Sequence, residues 1–152
     1  MPPSDDGEPG EARGLPLLVV DELPEPVEPD SQDRLRRLER RGQLETLAER
    51  IESHVPHDEP LIIAGDFNDW RRRAGRHLHA SLGVDELFLE LEGRHARSFP
   101  VWQPLLAMDR IYYRGVRPLS CQRLSAGPWR ELSDHAALMG EFSLPRKRRG
   151  SQ

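Results

Sequence analysis

Short apolar runs alternate with polar stretches along this chain, and the first half also contains one long amphipathic segment. Residues 15–20 form one short apolar run, and residues 60–64 form another that begins at a proline and stops before a glycine, so both are predicted to be buried strands. Between them, apolar residues recur at steps of three and four positions, the pattern of a helix with one buried face. Asp30 or Ser31 is a suitable N-cap, so the helix is predicted to run from there to about Ser53.

Strands dominate the second half of the chain. One helix is predicted at residues 73–82, and strands are predicted at 109–114, 117–124 and 135–142. Gly115 provides the turn between the first two of these strands. The combination predicts an α/β sandwich in which sheet forms the core and helices cover the outside.

Charge is distributed unevenly, although the net charge is only −4. Residues 1–30 carry nine acids against one arginine, which leaves −8, and seven of the 14 prolines, a composition typical of extended rather than packed chain. The basic run at 146–149 carries +4, so the remaining chain is neutral and gives no indication of nucleic-acid binding. The predicted organisation is therefore an acidic segment over 1–30, a body over 31–145 and a basic tail over 146–152.

Length and composition limit the class of protein. With 152 residues, the chain fits one domain with a core of its own. No apolar run approaches the ~18 residues of a membrane helix, and the acidic N-terminus lacks the basic and apolar regions of a signal peptide. The expected location is therefore the cytoplasm. Cys121 is the one cysteine, so an internal disulfide is excluded and a core position is its expected role.

Carboxylate and amide side chains follow the apolar run at 60–64. Gly65 ends this run, and Asp66, Asn68 and Asp69 come directly after it. Catalytic and ligand-binding groups concentrate at the ends of strands, and a carboxylate beside an amide suits both a hard divalent cation and a phosphate. The alternative is an Asp/Asn turn whose side chains bond to the local backbone.

Two further polar groups stand at the start of predicted strands. Asp134 and His135 follow Ser133, and such neighbouring side chains can hold a metal-bound water and a phosphate oxygen respectively. Asp109 opens another strand, and a carboxylate beside a histidine fixes its tautomer and favours its charged form. The alternatives are a polar turn before the last strand and an ion pair between Asp109 and Arg110.

These polar residues belong to longer motifs that occur in a fixed order. The motifs are Gly65-Asp66-Phe67-Asn68, Asp109-Arg110-Ile111-Tyr112 and Ser133-Asp134-His135. Residues 34–144 resemble the endonuclease/exonuclease/phosphatase superfamily through these motifs. Flanking residues that are similar to those of bacterial members are Arg41, Gln43, Leu47, Asp69-Trp70 and Ser98-Phe99-Pro100. The resemblance implies the C-terminal half of a deoxyribonuclease I-like four-layer α/β sandwich, with one mostly antiparallel sheet and outer helices.

The resemblance also implies a metal-dependent hydrolysis of phosphoesters, with a role for each motif residue. Asp66 orients or deprotonates the attacking water and contributes to the metal site, while Asn68 helps to place the water and the phosphate. His135 binds a non-bridging phosphate oxygen, and Asp109 holds His135 in place. Asp134 contributes to the site of Mg²⁺ or Mn²⁺. The implied substrates are nucleic acids, nucleotides or phospholipid head groups.

Aromatic residues near the motifs are candidates for contact with the substrate. Trp70, Trp102, Tyr112 and Tyr113 can each stack on a base or a sugar, and packing is the alternative role for each. Trp102 lies in the segment before Asp109, so it is the one that we assign to substrate binding.

The resemblance further implies that the family fold has an N-terminal half that this chain does not contain. That half supplies an Asn and a Glu to the metal site, and a His-Leu pair where this chain has Asp21-Glu22-Leu23. One interpretation of Glu22 is a replacement metal ligand, and the simpler one is a solvated acid. A single sheet without its second half also exposes an apolar face. Three explanations stay open: a shortened reading frame, a half-domain completed by dimerisation or another chain, and a non-catalytic remnant that docks on a partner.

Overall fold

The computed structural model describes residues 17–20, 31–68 and 73–144. Its elements are β1 (Leu17–Val20), α1 (Ser31–His54), β2 (Leu61–Asp66), α2 (Arg73–Leu82), β3 (Asp85–Glu86), α3 (Leu87–Glu92), β4 (Asp109–Arg114), β5 (Arg117–Leu124), α4 (Trp129–Leu132) and β6 (Ala137–Ser143). Most of the acidic segment, Glu22 within it, and the basic tail lie outside the described residues. Over the part that is described, no helix combines the length and the apolar character needed to cross a bilayer.

The strands fall into two sheets. In the first, β1 lies parallel to β2 at one edge, β4 pairs antiparallel with β2, and the short β3 pairs antiparallel with β4 at the other edge. The second consists of β5 and β6, paired antiparallel. The predicted α/β class with mostly antiparallel pairing is therefore confirmed. The prediction of one sheet is corrected, since the structure has two. Gly115, at a φ of 67°, turns the chain between β4 and β5, and β5 then pairs with β6 instead of joining the first sheet.

One face of the four-stranded sheet packs against α1 and α2. Leu61 and Ile63, alternate residues of β2, are buried on this face, as the two-residue period of a strand requires. Ile51 of α1 and Leu78 of α2 are buried in the same cluster. The predicted apolar stripe of α1 therefore meets the sheet over residues 44–55.

The opposite face of this sheet packs against α3 and the β5–β6 sheet. Ile62 of β2 and Tyr113 of β4 join Leu87 of α3 in a second cluster, where the rings of Tyr113 and Phe142 lie 5.3 Å apart. A Cβ atom at Gly140 would overlap the side chain of Leu87, so β6 approaches α3 this closely because the position has no side chain. The described chain thus has three layers: two helices, the four-stranded sheet, and α3 with the β5–β6 sheet.

A buried arginine joins the ends of two helices to the sheet. Arg114 is the last residue of β4 and is only 8% exposed. Its Nη1 donates to the carbonyl of Leu82 at the end of α2, at 2.7 Å. Its Nη2 donates to the carbonyls of Val55 and Pro56, just beyond α1, at 3.3 and 3.0 Å, and its Nε donates to Glu59 at 3.4 Å. Carbonyls at a helix C-terminus have no partner within the helix and carry partial negative charge. The guanidinium of Arg114 therefore satisfies the C-terminal ends of both α1 and α2.

The sequence pattern did not predict β3, α3 or α4. α3 begins after Glu86, whose buried carboxylate accepts the N–H groups of Phe88 and Leu89 at 3.3 and 2.9 Å and also lies 2.7 Å from Nδ1 of His95. The helix ends at Gly93, whose N–H donates to the carbonyl of Leu89. Since glutamate is not a preferred N-cap residue, the local sequence gave no start signal for this helix.

Candidate active site

Two of the predicted carboxylates meet across neighbouring strands. Asp66 is the last residue of β2 and Asp109 is the first residue of β4, and the antiparallel register makes them direct partners. Side chains in such positions lie with their Cβ atoms about 4.5–5.5 Å apart. Like charges placed opposite each other destabilise a sheet, so this pair needs a cation nearby.

His135 lies against this pair of carboxylates. Its Nδ1 lies 2.8 Å from Oδ2 of Asp109. Because a carboxylate can only accept, Nδ1 is the donor, which leaves Nε2 as the ring nitrogen that can face a substrate. The ring also packs on Phe99, with centroids 4.9 Å apart. His135 precedes β6 rather than opening it, which corrects its predicted place within the strand.

The surroundings of His135 favour its protonated form. Partial burial alone would lower the pKa of the imidazole. The hydrogen bond that His135 donates to Asp109, the charge of Asp109, and the charges of Asp66 and Asp134 outweigh this effect, so the pKa of His135 is raised above its usual value. His135 is therefore easier to protonate than an ordinary histidine, and its protonated form can hold an anionic phosphate oxygen.

Asp66, Asp109 and His135 form one compact cluster. Their ligand atoms all lie within 4.8 Å of one another, and each residue is partly buried. Groups at such distances can reach one phosphate group or one metal ion. The cluster includes the ends of β2 and β4 and the loop before β6, so the fold brings together three motifs that are far apart in the sequence.

A buried serine ties the strands of the cluster together. Ser98 is fully buried, and its Oγ accepts the N–H groups of Met108 and Asp109 at 3.3 and 3.2 Å. Its own carbonyl accepts the N–H of Ala136 at 2.7 Å. Ser98 therefore sets the position of Asp109 relative to His135. No role for Ser98 was predicted from the sequence, because only its place in a flanking motif distinguished it.

Replacing Ser98 with alanine is expected to lower the free energy of unfolding by about 1–3 kcal/mol, because two N–H groups lose a buried acceptor. Urea unfolding followed by circular dichroism measures this change. Ser53→Ala, at the exposed end of α1, is the matched control and should change stability by less than about 0.5 kcal/mol. Equal effects of the two substitutions would contradict the role of Ser98.

Asn68 adopts a conformation that orients Asp66. Its φ is 45°, in the left-handed region that asparagine tolerates better than most residues. Its backbone N–H donates to Oδ1 of Asp66 at 2.7 Å. The Asp/Asn turn, which was the alternative to a functional site at these residues, is therefore present. It occurs together with the cluster of Asp66, Asp109 and His135.

Asp134 and Trp102 lie beside the cluster. Among the described residues, the cluster of possible ligands does not include Asp134, whose side chain is exposed. The carbonyl of Asp134 accepts the N–H of Val101 at 2.6 Å, so the next residue, Trp102, lies close to the loop that carries His135. The roles of Asp134 in metal binding and of Trp102 in substrate binding stay predictions. Residues 69 and 70 lie outside the described part.

Comparison with known sequences identifies the family of this chain. The profile of the endonuclease/exonuclease/phosphatase family matches residues 3–135, which is most of the chain. The chain belongs to this family. The predicted resemblance is therefore confirmed.

Curated bacterial proteins of greater length resemble this chain. The uncharacterised protein YbhP of Escherichia coli K12 is 46% identical over 110 residues, which are 72% of this chain and 43% of YbhP. YbhP of Shigella flexneri gives the same values. A UPF0294 protein of Yersinia pseudotuberculosis is 34% identical over 103 residues, 66% of this chain and 35% of that protein. The chain thus spans less than half the length of these curated relatives.

The endonuclease/exonuclease/phosphatase family is generally metal-dependent, and the clustered side chains suit a divalent ion. Asp66 and Asp109 provide hard carboxylate oxygens, the ligand type that Mg²⁺ prefers. Carboxylate oxygens also suit Mn²⁺, whereas a protonated His135 has no ring nitrogen left to bind a metal. The donor set therefore fits either ion.

Proposed function

We propose that the chain is a metal-dependent hydrolase of phosphoesters or phosphodiesters. The observation that supports this function is the approach of Asp66, Asp109 and His135 to within 4.8 Å of one another in a chain that belongs to the endonuclease/exonuclease/phosphatase family. Two acids and a histidine at this distance provide both a proton acceptor and a cation at one phosphate.

Asp66 would act on the attacking water. Its Oδ1 is held by the N–H of Asn68, which fixes the plane of the carboxylate. The carboxylate would take a proton from water as the water oxygen bonds to phosphorus, and the bond from phosphorus to the leaving oxygen would break. The leaving oxygen takes its proton from solvent. The side chain of Asn68 would help to place the water and the phosphate.

His135 would stabilise the charge that develops on phosphate. The hydrogen bond from Nδ1 to Asp109 fixes the ring and leaves Nε2–H to donate to a non-bridging oxygen. Asp109 would act through His135, by orienting it and favouring its charged form. Proton acceptor and cation would therefore occupy separate sides of one small site.

Asp66 and Asp134 are the residues that would hold Mg²⁺ or Mn²⁺. Asp66 lies in the cluster, and Asp134 belongs to the exposed loop directly before His135. When bound, the ion offsets negative charge on the phosphate and on the leaving oxygen. Further ligands, an Asn and a Glu in the family pattern, would come from outside the described residues.

The second candidate function is a non-catalytic half-domain that docks on a partner or dimerises. Two observations favour it: the chain spans 43% of YbhP, and the β5–β6 sheet turns Leu119 and Met139 outward as exposed side chains. In both candidates the chain would supply only part of the four-layer α/β sandwich that the family resemblance implies. Light scattering on the purified chain separates the two, since a stable monomer contradicts a required partner.

Removal of the metal tests the proposed function directly. We expect the chain to hydrolyse bis(p-nitrophenyl) phosphate in Mg²⁺ or Mn²⁺, and to lose this activity in EDTA, because the phosphate charge is no longer offset. Release of p-nitrophenolate is followed by absorbance. Activity should return when Mg²⁺ is added in excess of EDTA. Hydrolysis that persists undiminished in EDTA would contradict metal dependence.

A further inference from the structure

One short segment of the chain holds the loop that carries His135. In this segment, residues 98–101, the carbonyl of the first residue accepts the N–H of Ala136 at 2.7 Å, and the N–H of the last residue donates to the carbonyl of Asp134 at 2.6 Å. The backbone of His135 is therefore fixed on both sides by hydrogen bonds to the same segment. These bonds set where the side chain starts, and other contacts must set how its ring is turned.

This segment is itself anchored to the rest of the fold. The backbone N–H of Phe99 donates to the carbonyl of Leu106 at 3.1 Å, and the N–H of Leu106 donates to the carbonyl of Phe99 at 2.8 Å. The buried hydroxyl of Ser98 accepts the N–H of Asp109 at 3.2 Å. The position of Phe99 is therefore set by contacts that do not involve the imidazole.

The ring of Phe99 packs on the imidazole of His135. The two centroids lie 4.9 Å apart and the planes meet at 48°, which is within the range of about 4.5–7 Å for packed aromatic pairs. Phe99 is half-buried, and 24% of the His135 side chain is exposed. The imidazole therefore has two contacts of different kinds, a hydrogen bond from Nδ1 to Asp109 and a ring contact with Phe99.

The hydrogen bond to Asp109 does not by itself fix the imidazole. It holds the position of Nδ1 but leaves the plane of the ring undetermined, and the outer torsion of a histidine side chain has broad minima. A change of plane redirects Nε2–H, the group that would face a phosphate oxygen. Misplacement of a catalytic group by about 1 Å can cost about 10²-fold in rate, so the plane of this ring matters.

From these contacts, we infer that Phe99 is a positioning residue for His135, whose ring sets the plane of the imidazole and thereby the direction of Nε2–H. The effect of Phe99 on a rate rests on the proposed hydrolase function, whereas its effect on the ring does not. A branched apolar side chain in its place would keep the hydrogen bond to Asp109 but would offer no flat face to the imidazole.

Nuclear magnetic relaxation tests this role without any reaction. The 152-residue chain is labelled with ¹³C in its histidines and kept in EDTA, and the signal of His135 is the one that His135→Ala removes. The order parameter of its ring C–H bonds should be near the value of rigid backbone, about 0.85, and should fall below about 0.6 in Phe99→Leu. Phe99→Tyr keeps the aromatic face and should restore the order.

A second aromatic pair provides the matched control. Phe142 lies near the far end of β6, and its ring packs on Tyr113 at 5.3 Å and 51°, a geometry close to that of Phe99 on His135. Phe142→Leu should therefore destabilise the chain without loosening the imidazole. If Phe99→Leu does not fold, which circular dichroism shows, Phe99→Met gives the same test, because methionine fills the space and has no flat face.

Steady-state kinetics tests whether Phe99 acts through His135. We expect Phe99→Leu to lower kcat for bis(p-nitrophenyl) phosphate in Mg²⁺ about tenfold and to change KM by less than about twofold, because the direction of Nε2–H matters most in the transition state. In the His135→Ala background the same substitution should have no further effect, since the group that it orients is gone.

Three results would overturn the role of Phe99. The first is a folded Phe99→Leu variant in which the ring of His135 keeps an order parameter near 0.85. The second is a ring that Phe142→Leu loosens equally, because general destabilisation would then be the cause. The third is an equal loss of kcat with and without His135, because Phe99 would then act on the substrate directly. In a chain that hydrolyses nothing, the relaxation measurement still decides the role, so failure of the hydrolase function is distinguishable from failure of the positioning.

Discussion

His135→Ala should lower the rate of Mg²⁺-dependent hydrolysis of bis(p-nitrophenyl) phosphate by about 10²- to 10⁴-fold. The substitution removes the cation that faces the phosphate and leaves the carboxylates of Asp66 and Asp109 opposite each other without it. Initial rates at saturating Mg²⁺ measure the effect. The loss should appear in kcat, because the interaction with the phosphate oxygen strengthens as charge develops in the transition state.

The control for this substitution is another histidine. His57 is exposed in the turn between α1 and β2, so His57→Ala should keep the rate of the unchanged chain. Unfolding curves of both variants show whether a lost rate reflects lost structure. A His135→Ala variant that is folded and fully active would rule out the role that we assign to this residue.

Arg114→Met should reduce the free energy of unfolding by about 2–4 kcal/mol, the largest loss of stability that we expect from one substitution. Methionine fills part of the same volume but donates no hydrogen bond. The carbonyls of Leu82, Val55 and Pro56 would lose a charged donor at the ends of α2 and α1. Urea unfolding, followed by circular dichroism, gives the change in free energy.

Two further arginine variants sharpen this test. Arg117→Met, at an exposed position of β5, should change stability by less than about 0.5 kcal/mol. Arg114→Lys keeps the charge but not the planar fork that reaches several carbonyls, so it should fall between the two. A stability of Arg114→Met equal to that of Arg117→Met would show that the buried contacts contribute little.

Elements with a clear period were predictable from the sequence, and short capped ones were not. The bounds of α2, β4 and β5 agree with the prediction, because periodic apolar residues and nearby glycines mark them. α3 has only six residues and depends on the buried carboxylate of Glu86, which also lies against His95. Its stability comes from contacts made by the folded chain, and no local pattern encodes them.

For the candidate site, the sequence indicated the residues but not their geometry. The motifs gave Asp66, Asp109 and His135, yet the direct pairing of the two acids depends on the register of β2 with β4. That register results from the burial of alternate residues on two faces of a sheet, a long-range condition. The role of Ser98 was not predictable for the same reason, since the hydrogen-bond partners of a serine hydroxyl are set only when the chain folds.

The pairing of β2 with β4 has a consequence for motion. Six successive residue pairs join these strands, and Asp66 and Asp109 are the last of them. Hydrogen exchange of the Ile63 and Tyr112 amides, which belong to one directly opposed pair, should therefore be slow and should report the global opening of the protein rather than a local one. Carboxylates carried on such a ladder are already ordered before a substrate arrives, so binding requires little loss of backbone entropy at these two groups.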